Sequence, residues 1–417
     1  MVKPQRALRR HREHREVVDS LASKSLERYL HSHSTFAVPP YNDSNLSQED
    51  QIRYGRHLVM PEVGEEGQQK LRNARVLIVG VGGLGSPAAL YLAAAGVGTL
   101  GLVDFDTVEL TNLQRQILFD SDSIGKSKLK TAWEKIRSLN EGVKVELHET
   151  RITSENAMKI LEEYDVILDG TDRFPVRYLV NDACVLLGKP DVYGSVYRFD
   201  GHVSVFDSRR GPCYRCLHPQ PPPPELQPNC AEGGVLGVLP GIIGTIQATE
   251  VIKLLLGKGN PLIGRVLMVD GLNMKMNELT LRKDPNCAVC GEKPTVTSLI
   301  DYEEFCGGHS VEMNDEISVE ELNQRIKAGE EIVLLDVRQQ FEYDIANLNG
   351  VLIPLGELPS RLKELDPSKE IVVYCHTGNR SGRAVAFMRQ QGFSRARNLV
   401  GGIEAWSRKI DKSVPRY

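Results

Sequence analysis

The stretch "RVLIVGVGGLGSPAALYLAAAG", Arg75 to Gly96, constrains this chain more than any other. A run of branched apolar residues suits a strand buried on both faces. Four glycines, Gly80, Gly82, Gly83 and Gly85, then allow a tight turn, and an alanine- and leucine-rich helix follows. "GTLGLVDF" reads as a second buried strand. "KSKLKTAWEKIRSLN" reads as an amphipathic helix with Leu129, Trp133, Ile136 and Leu139 on one side. "KVELHETRI" and "DVILDGTD" continue the alternation to about residue 207. The pattern predicts a doubly wound, parallel α/β sheet of Rossmann-like type.

In such a sheet the glycine turn opens a phosphate cradle. Gly80 permits the turn, Gly82 lets the backbone approach a phosphate, and the helix N-terminus supplies free N–H groups. Asp104, at the next strand end, is placed to accept hydrogen bonds from ribose hydroxyls. These features alone fit an NAD-dependent oxidoreductase equally well, or a packing turn without a ligand. The flanking charges separate the readings. "ELTNLQRQ" offers Asn112, Arg115 and Gln116, "GKSKLK" offers Lys128, and "DGTDRF" puts Asp172 at a strand C-terminus. Hydride transfer has no use for these cations, whereas a triphosphate with Mg²⁺ needs cations on the phosphoryl oxygens and a carboxylate on the metal.

The chain has 417 residues, enough for two or three domains, and its net charge of -4 supplies no global basic field for nucleic acid. Residues 1–45 read as a basic, disordered arm without the apolar segment of a secretory signal. The apolar run Gly234 to Gly257 approaches membrane-spanning length, but Gln247, Glu250, Lys253 and Pro240 interrupt it, so it reads as a buried or interface helix rather than a membrane span. The nucleotide-binding domain is placed at 46–291, a linker at 292–315, and a second α/β unit at 316–417. That unit contains "SVEELNQRIKAG" with Ser318 as N-cap, strands "EIVLLDVR" and "EIVVYC", and helix "SGRAVAFMRQQG".

Eight cysteines without a secretory signal favour thiol or metal chemistry over disulfides. Cys213 with Cys216, and Cys287 with Cys290, form two Cys-x-x-Cys pairs suited to a closed, structural Zn²⁺ site; two redox pairs are the alternative. Cys230, in "PNCAEGG", is either a loop nucleophile or an incidental thiol. Cys375 ends a strand and opens the loop His376, Thr377, Gly378, Asn379, Arg380. Such a loop can aim backbone N–H groups at the sulfur, with Arg380 adding positive charge, and so stabilise a thiolate or persulfide.

The segment "RYGRHLVMPEVGEEGQQKLRNARVLIVGVGGLGSP…ELTNLQRQ" resembles the adenylation domain of the ubiquitin-activating superfamily, above all the molybdopterin-synthase and thiamine-type adenylyltransferases, over about residues 47–290. "LLDVRQQFEYDIANLNGVLIPLGEL", the Cys375 loop and "NLVGGIEAWS" resemble a rhodanese domain over about 316–417. The first resemblance implies that the glycine turn and Asp104 hold ATP, that Asn112, Arg115, Gln116 and Lys128 contact its phosphates, and that Asp172 binds Mg²⁺. It further implies that Arg56 reaches across a homodimer and that the four paired cysteines hold structural zinc. The second implies that Cys375 carries a sulfane sulfur, and in fused relatives the counterpart of Cys230 bonds to the carrier or resolves a disulfide. Together they imply adenylation of the C-terminal glycine of a ubiquitin-like sulfur carrier ending in Gly-Gly. Sulfur transfer from Cys375, loaded by a cysteine desulfurase or thiosulfate, would follow in a cytoplasmic enzyme. Two departures stand out: Arg173 replaces the usual asparagine after Asp172, and "ANLNGV" replaces a Gly-His-Ile pattern. A regulatory binding protein with one inactive domain is the competing reading.

Overall fold

The computed structural model describes residues 46–222, 233–306 and 315–416. The arm at 1–45, Cys230 and part of the expected linker therefore lie outside the described residues.

Two sheets organise the chain. The first has eight strands: β1 (Arg75–Val79), β2 (Thr99–Asp104), β3 (Lys144–Glu149), β4 (Val166–Asp169), β5 (Asp191–Tyr197), β6 (Asp200–Phe206), β7 (Arg265–Asp270) and β8 (Lys275–Thr280). Their order is β3-β2-β1-β4-β5-β6-β7-β8, parallel from β3 through β5 and antiparallel beyond. β1, β2 and β4 are buried almost throughout, as strands covered on both faces must be. One face packs α1 (Gly85–Ala94), α2 (Lys128–Leu139) and, after α3 (Phe174–Leu187) on the opposite face, α4 (Val238–Leu256). α3 and α4 both stop at a left-handed glycine, Gly188 and Gly257. The order reverses between β1 and β4, which opens a crevice beyond their carboxyl ends.

α4 is long and apolar enough, by length and composition, to cross a membrane. Its polar residues show what it does instead. Fully buried Gln247 donates from Nε2 to the carbonyls of Asp169 and Val192, at 2.8 and 2.9 Å, and Glu250 accepts from the Leu262 N–H at 2.8 Å. These bonds fasten the helix across the sheet, so it is a core helix.

α2 presents a different face from the one its periodicity predicts. Leu129, Ala132 and Ile136 are buried, whereas Trp133 and Leu139 are exposed, and Arg137 stacks 5.3 Å over the Trp133 ring. The helix covers β2 and the edge strand β3 beside α1, and among the described residues nothing covers the indole fully.

The second sheet comprises β9 (Glu316–Ile317), β10 (Ile332–Asp336), β11 (Val351–Leu352), β12 (Glu370–Tyr374) and β13 (Ala396–Leu399) in the order β11-β10-β12-β13-β9, all parallel. α5 (Val319–Lys327) and α7 (Gly402–Lys409) lie on one face and α6 (Asn379–Gln390) on the other. Ser318 Oγ accepts from the Glu321 N–H at 3.0 Å, capping α5.

The segment expected as a linker at 292–315 is partly docked. Tyr302 and Cys306 are buried beside Tyr178 and Leu179 of α3, with Leu299, Ile300 and Phe305 packed around them. The aromatic side chains here outweigh the polar, turn-rich composition that suggested a free tether.

Candidate functional site

Two glycines of the turn between β1 and α1, Gly80 and Gly85, admit no larger residue. A Cβ on Gly85 would stand 2.0 Å from the Gly80 carbonyl oxygen, and Gly80 itself has φ 88. The Asp104 carboxylate, at the end of β2, accepts from the Val81 N–H at 3.0 Å and from the Phe105 and Asp106 N–H groups at 2.8 and 3.0 Å. Asp104 thus ties the turn to β2. Beside it the Lys128 ammonium, on the first residue of α2, lies 3.0 Å from Asp106 and is largely buried.

Two further loops border the turn. The 3₁₀ turn Leu110–Asn112 is closed by Asn112 Oδ1, which accepts from the Glu109 N–H at 3.1 Å. It leads to Arg115 and Gln116. A Cβ on Gly82 would lie 3.7 Å from Gln116 Nε2, and one on Gly83 3.6 Å from Arg115 Cδ. The buried Gln116 Oε1 has no hydrogen-bond partner among the described residues. After β4, a Cβ on Gly170 would stand 2.7 Å from the Gly80 oxygen, so the Thr171-Asp172-Arg173 loop abuts the turn. Asp169 accepts from the Thr171 N–H and hydroxyl at 2.8 and 2.6 Å, which leaves the Asp172 carboxylate exposed at the crevice. A polar pocket of this kind, with backbone-lined glycines and cations on its rim, fits a nucleotide triphosphate. Asp172 could hold its Mg²⁺. Arg56 sits apart, exposed on the short helix Gly55–Leu58, and takes no part in these contacts. Arg173 forms a two-pronged pair with Glu303 at 2.7 and 2.9 Å.

The sulfurs of Cys213, Cys216, Cys287 and Cys290 all lie within 4.8 Å of one another, with separations of 4.0, 3.5 and 3.4 Å for three of the pairs. Four thiolates at zinc's usual bond length of about 2.3 Å would stand about 3.8 Å apart at the corners of a tetrahedron. The donor set therefore fits a closed Zn²⁺ site. The Asp284 N–H lies 3.4 Å from the Cys216 sulfur, and Val185, Val289 and Val296 surround the cluster.

Cys375 leaves the end of β12 with its residue only 1% exposed. Its sulfur accepts from the Gly378 N–H at 3.1 Å and the Ser381 hydroxyl at 3.3 Å. The backbone behind it is pinned: the Ile403 and Glu404 N–H groups, opening α7, donate to the Cys375 and His376 carbonyls at 2.9 and 3.0 Å. Gly402 is required there, because a Cβ would stand 2.5 Å from both oxygens. Thr377 is exposed at the loop tip. Burial pulls the His376 imidazole below its usual range, against the opposing effect of Glu404.

Arg380, expected to add positive charge near the sulfur, has a carboxylate partner of its own. It makes two bonds of 2.6 Å to Glu342, on the helix Gln340–Ile345, with both side chains largely buried. Sequence reasoning missed Glu342, Ser381 and Gly402. Ser381 lies two residues into α6, where its hydroxyl can reach back over the helix start, and that spacing was a usable signal. Glu342 is 38 residues from its partner and gave none.

The chain thus carries a Rossmann-like crevice on one sheet and a strand-end thiol, buried in its loop, on the next. Residues 54–289 match the ThiF family and residues 318–409 match the rhodanese-like domain. The chain belongs to the ThiF family, carries a C-terminal rhodanese-like domain, and is an adenylyltransferase and sulfurtransferase. It is 45% identical over 395 residues to the probable adenylyltransferase/sulfurtransferase MoeZ of Mycobacterium tuberculosis, covering 91% of this chain and 99% of that one. It is 43% identical over 398 residues to the adenylyltransferase and sulfurtransferase MOCS3 of Anopheles gambiae, covering 90% of each. Among solved structures, Escherichia coli MccB bound to MccA-N7isoASN aligns with 60% of this chain and 77% of that chain at a TM-score of 0.54 and 24% identity, a likeness of fold.

Proposed function

We propose that the chain adenylates the C-terminal glycine of a ubiquitin-like sulfur carrier ending in Gly-Gly and then converts that carboxylate to a thiocarboxylate. The observation that carries the reading is one chain holding both a glycine turn at the crevice of a Rossmann-like sheet and a hydrogen-bonded, strand-end cysteine sulfur. The carrier carboxylate attacks the α-phosphate of ATP, and pyrophosphate leaves. The backbone of Gly80, Gly82, Gly83 and Gly85 admits the phosphates, and Asp104 orients the ribose. Asn112, Arg115, Gln116 and Lys128 bind the phosphate oxygens. Mg²⁺ held by Asp172 would neutralise the leaving pyrophosphate. Arg56 acts across a homodimer.

Cys375, as a persulfide, then attacks the acyl-adenylate carbonyl and expels AMP. The added sulfur extends the nucleophile about 2 Å beyond Sγ. The His376–Arg380 loop and Ser381 hold the sulfur anion. The Cys230 thiolate next attacks Cys375 Sγ in the acyl disulfide, releasing the thiocarboxylate and leaving a Cys230–Cys375 disulfide, which an external thiol reduces. A cysteine desulfurase or thiosulfate loads Cys375, and the reaction runs in the cytoplasm. The test is mass spectrometry of a Gly-Gly-ending carrier incubated with the enzyme, Mg-ATP and thiosulfate. A mass gain equal to one sulfur replacing one oxygen is expected, lost in Cys375→Ala while pyrophosphate release persists. Sulfur transfer surviving in Cys375→Ala would refute the assignment.

A further inference from the structure

The four-residue helix Tyr302–Phe305 is too short to persist alone. Its existence depends on what it docks against. The Tyr302 hydroxyl donates to Asp182 Oδ2 at 2.8 Å, and Asp182 is fully buried. The same carboxylate takes a forked pair from Arg215, with Nε at 2.9 and 3.1 Å and Nη2 at 2.7 Å. The Arg215 guanidinium also lies 4.4 Å over the Phe305 ring and 5.0 Å over the Tyr178 ring. Upstream, the Ser154 hydroxyl donates to the Ile300 carbonyl at 2.6 Å, and at the surface Arg173 holds Glu303. Arg215 is not placed by chance: it lies between Cys213 and Cys216, and the neighbouring Tyr214 N–H is bound by Asn181 Oδ1 at 2.7 Å. The metal knuckle and the docked segment therefore share one buried arginine.

We infer that Leu299–Cys306 is a built anchor for the chain leading to the second sheet. Arg215 and Tyr302 are its positioning residues, and metal at the four cysteines keeps it docked. The consequence for sulfur transfer rests on the reading proposed above. With the anchor docked, the span from the first domain to Asp315 begins at Cys306. Undocked, it begins at Val296, whose N–H is bound by the Ala288 carbonyl at 2.9 Å. That frees the ten residues 297–306, and the added chain length makes Cys375 meet the adenylate on the order of threefold less often.

Two measurements on the full chain test this. The first is hydrogen exchange at the Glu304, Phe305 and Cys306 amides, bonded to Asp301 and Tyr302 in the anchor. Stripping the metal with a chelator is expected to accelerate their exchange about tenfold or more while the β1 amides stay protected. Unchanged exchange in protein shown to be metal-free overturns the metal's role. The second compares Tyr302→Ala/Phe305→Ala, the milder Phe305→Leu, and Tyr302→Phe. The first two are expected to free these amides and slow single-turnover sulfur transfer, about threefold in the double variant. Pyrophosphate release and sulfur loading of Cys375 are expected to stay unchanged. Tyr302→Phe, which keeps the ring, is expected to restore transfer nearly fully. Freed amides with an undiminished transfer rate overturn the anchor's role. Failure of the wild-type chain to activate any carrier would instead count against the proposed function, and the exchange measurement would still decide whether the anchor exists.

Discussion

Replacing Glu342 by alanine breaks a buried ion pair that ties the start of α6 to the rest of the second domain. Glu342 receives two bonds of 2.6 Å from Arg380 and one of 3.0 Å from the Gln339 N–H, and the paired side chains are only 8% and 13% exposed. Truncating one partner of a buried pair costs about 3–5 kcal/mol, because the other charge is left without compensation. The residual exposure puts the expected loss near the lower end, about 3 kcal/mol. For a domain of about 100 residues this lowers the melting temperature by roughly 15 °C. The two tryptophans make the assay direct, since Trp133 lies in α2 and Trp406 in α7. In a Trp133→Phe background the Trp406 signal reports the second domain alone. The transition is expected about 15 °C lower in Glu342→Ala, with an intermediate shift in Glu342→Gln and unchanged pyrophosphate release. A shift below about 4 °C in the alanine variant would mean that the pair behaves as a solvent-screened surface bridge and that the loop is held by other contacts.

Gly85→Ala and Gly82→Ala are expected to fail differently. The first places a methyl group 2.0 Å from the Gly80 oxygen and should destabilise the first domain by about 3 kcal/mol or more in chemical denaturation. The second meets nothing closer than 3.7 Å, so the fold should survive while ATP binding by calorimetry is lost. Lys128→Met should lower carrier-dependent pyrophosphate release about a hundredfold, with the denaturation midpoint changing little by comparison. Burial holds the His376 imidazole below its ordinary range in the folded domain, whereas the unfolded chain takes up its proton near the ordinary value of 6.5. Below that value the unfolded state binds more protons, so stability is full above pH 6.5 and falls as the pH drops through the lowered native value. The Trp406 transition should therefore come earlier at pH 5.5 than at pH 7.5 and lose that difference in His376→Gln. A transition that is equal or later at pH 5.5 in the wild-type chain would contradict this.

Much of this molecule is written locally. The β1–turn–α1 unit follows from apolar branched residues, four glycines and alanines in immediate succession. The Ser318 cap and the two cysteine pairs follow from spacing alone. Each depends on backbone preferences or donor types acting over a few residues, which is the range at which sequence patterns are legible. Asp104, Lys128 and Cys375 were legible as strand-end and loop residues, and the resemblance to known domains added an expected role to each. What it left undecided was pairing over distance. Arg380 is bound to Glu342, Arg215 and Tyr302 meet on Asp182 across 120 residues, and Arg173 finds Glu303 across 130. A charge in a loop carries no mark of its partner. Only the strand order, by bringing one element's end beside another's, decides which opposite charge is near enough and buried enough to claim it. The same is true of Trp133, whose helical phase was right for burial but which, among the described residues, stays partly exposed under Arg137.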